Sequence, residues 1–279
     1  MKILVVDRDR LTSQMIRTKL EGAGHTIIEE AVKNNAIEMI GQNDIDAVFF
    51  DPAPLTNARP IVLGIRRSVS TYTYICMMSH NLSVNEAADM GANDLLMKPV
   101  DGEQLIEKSE NAKRMVDLVN RIGDESEDFP SAGGVIAKSA FNQLFLSAID
   151  RADRYGERSY IVFISLSNYD DIKTMDGAYA AEYAVSKMAQ YLVRLRRQSD
   201  IIAQTGANEY ALLLQRPQQE NEPMEAASRF ASSLSEFDDI VSGGATPVEI
   251  TVSLVDIPVC NSLFKRSLMH QPQQTQSAT

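Results

Sequence analysis

Over the first 120 residues, short apolar runs alternate with amphipathic segments, and that rhythm leaves the chain few folds to choose from. "KILVVD", "TIIEEA", "IDAVFFD", "YTYICMMS" and "NDLLMKP" read as strands. Between them, "LTSQMIRTKLEGAG", "NNAIEMIGQ", "IVLGIRRSV" and "NEAADMGA" read as helices. Strands that are apolar throughout must be covered on both faces, which implies a parallel sheet between helical layers. Gly22 and Gly24 suit the end of the first helix, and Pro99 closes the junction after the last strand. In such a sheet, chemistry gathers at the carboxyl ends of the strands. Four of those ends carry polar residues: Asp7-Arg8-Asp9, Asp51, Ser79 and Lys98-Pro99.

Leu105, Ile106, Ala112, Met115, Val116, Val119 and Ile122 then space out one long amphipathic helix over 101–122. It runs into the acidic, Pro/Gly/Ser-rich "GDESEDFPSAGG", which reads as a linker. The expected boundaries are a first domain at 1–121, a linker at 122–133 and a second domain at 134–260. The second half has a helix at 138–154, the strand "YIVFISL", a long helix at 178–197 and a hairpin around "TGANE". A helix at 223–236 and the strand "VEITVSLVDIPV" complete it. Residues 261–279 read as a disordered or remnant tail, with "SLFKRSLMH" the trace of a closing helix.

Composition narrows the function classes. Against 27 Lys+Arg stand 38 Asp+Glu, a formal charge of −11, which argues against nucleic-acid or anionic-membrane partners. No apolar stretch reaches the roughly 20 residues that span a bilayer, and "MKILVVD" enters a strand directly with no basic leader. The two cysteines, Cys76 and Cys260, lie far apart and make no metal-ligand or disulfide pattern. A cytoplasmic protein without membrane insertion is the expectation.

The set Asp7-Arg8-Asp9, Asp51, Ser79, "GANDLLMKP" and Lys98 resembles the receiver domain of two-component response regulators, over all of 1–120. The resemblance implies that Asp51 accepts a phosphoryl group from a histidine kinase or phosphotransfer donor. It further implies Mg²⁺ at Asp7 and Asp51, with Ser79 and Lys98 each contacting a phosphate oxygen. An aspartyl nucleophile does need a cation to offset its charge against the incoming phosphate. Arg8, however, stands where the family places a second acid. A guanidinium turned into the pocket would pair with Asp51 and stand in for part of the metal's charge. A Mg²⁺-dependent phosphoswitch is therefore weighed against a pseudo-receiver kept as an interaction module.

"GVIAKSAF", "FISLSNYDDI", "GANEY" and "ITVSL" resemble the GGDEF domain of diguanylate cyclases, in order, over 134–258. That family condenses two GTP molecules with carboxylates that hold Mg²⁺ against the triphosphate. At the implied metal positions this chain has Ser165 and Asn208, and Ala207 crowds the signature Gly206-Ala207-Asn208-Glu209-Tyr210. Lys173 stands where a guanine-contacting Asn is usual, while Glu182 retains an acid for a base contact. Two neutral side chains do not replace two anionic ligands for a hard cation, so the second domain is expected not to be an enzyme.

Arg197-Gln198-Ser199-Asp200 keeps the register of the family's inhibitory site, with residues 201–205 between Asp200 and Gly206. By resemblance its ligand is cyclic di-GMP; read from the residues alone, the pair equally caps the helix–hairpin junction. The expected fold class is α/β: a flavodoxin-like, doubly wound (βα)5 receiver domain followed by an α+β nucleotide-cyclase-like GGDEF domain. The expected function is a non-catalytic signalling protein, a cyclic di-GMP receptor or a scaffold for a partner protein. A phosphorylation-controlled diguanylate cyclase and a ligand-free interaction module are the alternatives. The apolar stripe of 101–122 either packs on its own sheet or pairs two copies in a homodimer.

Overall fold

A computed structural model describes residues 1–68, 72–131, 133–197, 200–241 and 245–272. They form two compact units: Met1–Gly123 with Ser147–Arg158 and Ile257–Asn261, and Asp124–Leu146 with Ser159–Asp256 and the residues from Ser262 on.

The first unit is built on five parallel strands, β1 (Lys2–Val6), β2 (Thr26–Glu30), β3 (Ala47–Phe50), β4 (Tyr74–Ser79) and β5 (Asp94–Met97), in the order β2-β1-β3-β4-β5. Helices α1 (Arg10–Gly22), α2 (Lys33–Gln42), α3 (Arg59–Ser68), α4 (Val84–Asp89) and α5 (Gly102–Gly123) connect and follow them. β3 is buried at every residue and β4 at all but its last, which is why these strands read as unbroken apolar runs. α1 buries Ser13, Ile16 and Leu20, and α2 buries Lys33, Ala36 and Ile40, each a stripe at helical spacing. Gly24 turns the chain after α1 at φ +84, a conformation side chains resist. This is the flavodoxin-like receiver fold, with its topological switch between β1 and β3.

The second unit holds a five-stranded sheet of order β10-β9-β6-β8-β7. Its strands are β6 (Ser159–Leu166), β7 (Ile201–Gly206), β8 (Glu209–Gln215), β9 (Val248–Ile257) and β10 (Ser262–His270). β8 runs antiparallel to β6 and β7, and β10 antiparallel to β9. The helices are α6 (Lys138–Tyr155, of which Lys138–Leu146 belong to this unit), α7 (Tyr169–Met175), α8 (Ala178–Leu195) and α9 (Glu222–Ser235). α8 lays Ala181, Ala184, Val185, Met188 and Leu192 into a core shared with Phe230, Leu234, Leu212 and Val252. Among the described residues no helix is long and apolar enough to cross a membrane.

Two expectations need correction. Residues 262–270 are neither a loose tail nor a helical remnant, because they form β10; residues 273–279 lie outside the described residues. Within β10, Leu268 and His270 turn inward, and His270 Nε2 donates to the Leu234 carbonyl at 2.8 Å. An edge strand with so few inward residues has too weak an alternation to be seen locally. The linker at 122–133 is also less free than its composition implies. α5 runs through Gly123, and the buried Lys138 ammonium donates to the carbonyls of Asp124 (2.7 Å) and Glu127 (3.2 Å). A buried ammonium takes whatever acceptors are in reach, and here they belong to the acidic segment.

Leu268→Ala should lower the unfolding free energy of the second unit by about 2 kcal/mol or more, as removal of a buried leucine does. Urea unfolding checks this, and a neutral effect would return β10 to the status of a tail.

Candidate functional site

In the first unit, β1 and β3 are neighbours and end in Asp7 and Asp51, while Lys98 follows β5. The Lys98 ammonium donates to Asp7 Oδ2 at 2.7 Å and to Asp51 Oδ2, with only 6% of its side chain exposed. Each acid also accepts from the backbone. Asp7 Oδ1 takes the Asp9 amide at 2.9 Å, and Asp51 Oδ1 takes the Ala53 amide at 2.7 Å. Burial works against the charge on Lys98, yet the hydrogen bonds and charges of Asp51 and Asp7 carry its pKa above the usual lysine value.

A second cation closes the pocket. Lys33, at the first position of α2 and only 6% exposed, donates its ammonium to the Ala53 carbonyl. Burial and the nearby Arg8 pull the Lys33 pKa down, while Asp51 and Asp7 pull it back up. Asp9 takes another role: its carboxylate caps α1, accepting from the Leu11 amide (3.0 Å) and the Thr12 hydroxyl (2.7 Å). Those bonds hold its carboxyl below the usual range.

Arg8 does not pair with Asp51 as expected. Its side chain is exposed, and among the described residues Asp51 is ion-paired to Lys98. Asp7 points inward at the end of β1, so the next side chain leaves the backbone on the other side. Ser79 Oγ accepts from the amides of Asn81 (3.2 Å) and Leu82 (3.3 Å), shaping the loop after β4. The pocket thus gathers Asp7, Asp51, Lys98 and Lys33, with Ser79 engaged in the neighbouring loop. Among the described residues, no group of three or more His, Cys, Asp or Glu is arranged to hold a metal ion.

In the second unit, the hairpin tip between β7 and β8 is laced to the end of β6. Ser165 pairs with Glu209 in the ladder; Asn208 Nδ2 donates to the Leu166 carbonyl at 2.8 Å, and the Leu166 amide donates to the Asn208 carbonyl at 2.9 Å. The Thr205 hydroxyl donates to Glu209 Oε1 at 2.7 Å. Tyr210 turns into the core, where burial pushes its phenol up to about 12. Beside the tip lies a cleft of about 430 Å³ lined by Ala207, Tyr210, Gln204, Glu182 and Gln190. Lys173 does not line it; its ammonium lies 5.9 Å from the centre of the Tyr169 ring. Asp170 and Asp171 occupy the first turn of α7.

Ahead of the hairpin, Arg197 and Asp200 close a turn between α8 and β7. The Arg197 amide donates to Asp200 Oδ2 at 2.8 Å, and the Asp200 amide donates to the Arg197 carbonyl at 3.0 Å. Asp200 is 8% exposed and its Oδ2 lies 3.7 Å from the Arg229 guanidinium. The Arg197 guanidinium is 62% exposed, with Glu222 Oε1 at 3.8 Å. Gln198 and Ser199 lie outside the described residues. Arg197, Asp200, Arg216 and Arg229 line a second cleft of about 460 Å³.

Residues 131–258 match the family described as "Diguanylate cyclase, GGDEF domain". They carry a GGDEF domain. No curated protein matches the sequence. Solved structures similar to the first unit include a two-component response regulator from Clostridium difficile, at 25% identity, 41% of this chain, 96% of that one and a TM-score of 0.37. Chemotaxis response regulator CheY4 of Vibrio cholerae is 24% identical over 40% of this chain and 97% of its own, with a TM-score of 0.37. A response regulator from Thermotoga maritima is 23% identical over 40% and 95%, also at 0.37. The strand order and parallel pairing, rather than these likenesses, define the flavodoxin-like fold.

Two residues of the pockets escape a reading of the motifs. Lys33 was legible in principle, since it shares the buried spacing of Ala36 and Ile40 on α2. Arg229 carries no local signal, and only the packing of α9 brings it to Asp200.

Asn208→Asp removes the only N–H that the side chain can offer Leu166 and sets a charge beside that carbonyl. The GGDEF domain should lose about 1 kcal/mol of stability, the net worth of such a bond. Thermal unfolding measures it, and an unchanged midpoint would show the amide contact to be incidental.

Proposed function

We propose that this protein is a non-catalytic response regulator of two-component and cyclic di-GMP signalling, whose GGDEF domain receives cyclic di-GMP and engages a partner protein. The observation that carries this reading is the pairing of β6 with the hairpin tip. It brings the two positions of the implied metal ligands together as Ser165 and Asn208. A hydroxyl and an amide already bonded to a backbone carbonyl form a poor donor set for Mg²⁺, which favours carboxylate oxygens. Without that cation the triphosphate charge has no counterweight, and the 3′-hydroxyl has no base among these residues. Glu209, bonded to the Thr205 hydroxyl, belongs to the hairpin rather than to such a site.

The cleft lined by Arg197, Asp200 and Arg229 supports the receptor reading. The Arg197 and Arg229 guanidinium groups suit a dianionic ligand with guanine edges, which they would meet through paired N–H donors. Asp200, held by the Arg197 amide, offers its carboxylate to guanine N–H donors. The first unit, over 1–121, is assigned to interaction, with Asp51 the position a histidine kinase or phosphotransfer donor would address.

Calorimetric titration with cyclic di-GMP should give a low-micromolar or tighter equilibrium, near −8 kcal/mol at about 1 μM. Arg197→Ala should weaken it at least about tenfold, because a charge-assisted guanidinium contact is lost. No heat from the wild-type chain would reject the receptor reading and leave an interaction module. Incubation with GTP and Mg²⁺ should yield no cyclic di-GMP, and sustained turnover would restore the cyclase. Phosphotransfer from a small phosphodonor with Mg²⁺ should produce no mass shift that Asp51→Asn abolishes; such a shift would make the first unit a phosphoswitch.

A further inference from the structure

The receiver resemblance implies a Mg²⁺ ion at Asp7 and Asp51, and the donors in this pocket are already taken. All four carboxylate oxygens of the two acids accept a hydrogen bond: Asp7 from the Asp9 amide and Lys98, Asp51 from the Ala53 amide and Lys98. The next backbone oxygen at the pocket, Ala53 O, is taken by the Lys33 ammonium. The third acid of the strand ends, Asp9, faces solvent and caps α1. A hard dication needs several oxygens converging at about 2.0–2.1 Å, and here it would compete with an ammonium or an amide at each of them. These residues do not offer that set.

The charges give the same answer. Asp7 and Asp51 bring two negative charges, and Lys33 and Lys98 bring two positive ones within the same buried pocket. The pocket is neutral before any ion enters, and exposed Arg8 and Asp9 add one charge of each sign at its rim. A dication would have to displace an ammonium from its acceptors or sit beside it in a poorly solvated space. Lys33 cannot withdraw cheaply. It stands at the first position of α2 on the same face as Ala36 and Ile40, so its stem is fixed by the packing of that helix on the sheet.

We propose that Lys33 is a built-in counter-ion that, with Lys98, takes the place of a divalent metal in the pocket of the first unit. The pocket is then charge-compensated by the chain itself and stays closed to Mg²⁺. This deepens the assignment of the first unit to interaction and rests on its receiver-like reading. It assigns to Lys33 a role that the exposed Arg8 does not fill.

The test uses the full chain and Mn²⁺ as probe, with bound metal read from the loss of the free-ion electron paramagnetic resonance signal. The wild-type protein should show no site that Asp51→Asn removes, up to about 1 mM Mn²⁺, the weak end of protein binding for such cations. Lys33→Met keeps the apolar stem and drops the charge. It should gain a site that the second change Asp51→Asn removes. Its Mn²⁺ affinity should exceed the wild-type value by about tenfold or more, the effect of removing a like charge a few ångström from an ion. Lys33→Arg, which keeps the charge, should stay as closed as the wild type. A wild-type Mn²⁺ site at Asp51 would overturn the proposal, and that measurement needs no variant of Lys33 to fold. A well-folded Lys33→Met protein without the new site would also overturn it. Neither result touches cyclic di-GMP binding at Arg197, so the two readings fail separately.

Discussion

Two carboxylates buried at the ends of adjacent strands cannot remain charged without a cation in reach, and this need organises the first unit. Desolvation of a carboxylate costs far more than a hydrogen bond returns, unless an opposite charge stands beside it. Lys98 meets the need for Asp7 and Asp51 together, and so ties the end of β5 to the ends of β1 and β3. The sheet order makes this tie long-range, since β4 lies between β3 and β5. Lys33 extends it to α2 through the Ala53 carbonyl. Strand ends, a helix start and the loop after β3 are thereby held by a handful of charged bonds.

The second unit solves a similar problem without charge. Its hairpin tip must meet the end of β6 closely, and an amide does this with a donor to the Leu166 carbonyl and its own carbonyl to the Leu166 amide. An acid in the place of Asn208 would keep the second bond and lose the first. Asn208 therefore ties the hairpin tip to the end of β6 with both its side chain and its main chain. The charged groups of this unit gather at the turn ahead of the hairpin. There Asp200 is held from the backbone and the Arg197 guanidinium reaches into solvent.

The structural role of the Arg–x–x–Asp pair leaves room for the proposed ligand. Asp200 closes the turn through the Arg197 amide, which is the structural role. That bond uses the backbone of Arg197 and leaves its guanidinium to a cleft shared with Arg229 and Arg216. Arg197 thus orders the turn with its main chain while its side chain faces outward.

Much of this was determined by the sequence alone. The alternation of wholly apolar runs with amphipathic stripes dictated a parallel sheet sheathed in helices, because runs such as "AVFF" and "YICMMS" have no polar face to show to water. The ends of those strands named Asp7, Asp51 and Lys98, the strand "FISLS" named Ser165, and the hairpin motif named Asn208. Only the tertiary structure decided which charges meet. It turned Arg8 outward, set Asp9 to capping α1, and brought Lys33 to Ala53 and Arg229 to Asp200 from distant positions. It also drew the acidic segment after α5 onto buried Lys138 and paired residues 262–270 with β9. The reason is common to all of these. Periodicity reports how a segment divides between core and water, whereas the partner of a buried charge or an edge strand is set by chain remote in sequence.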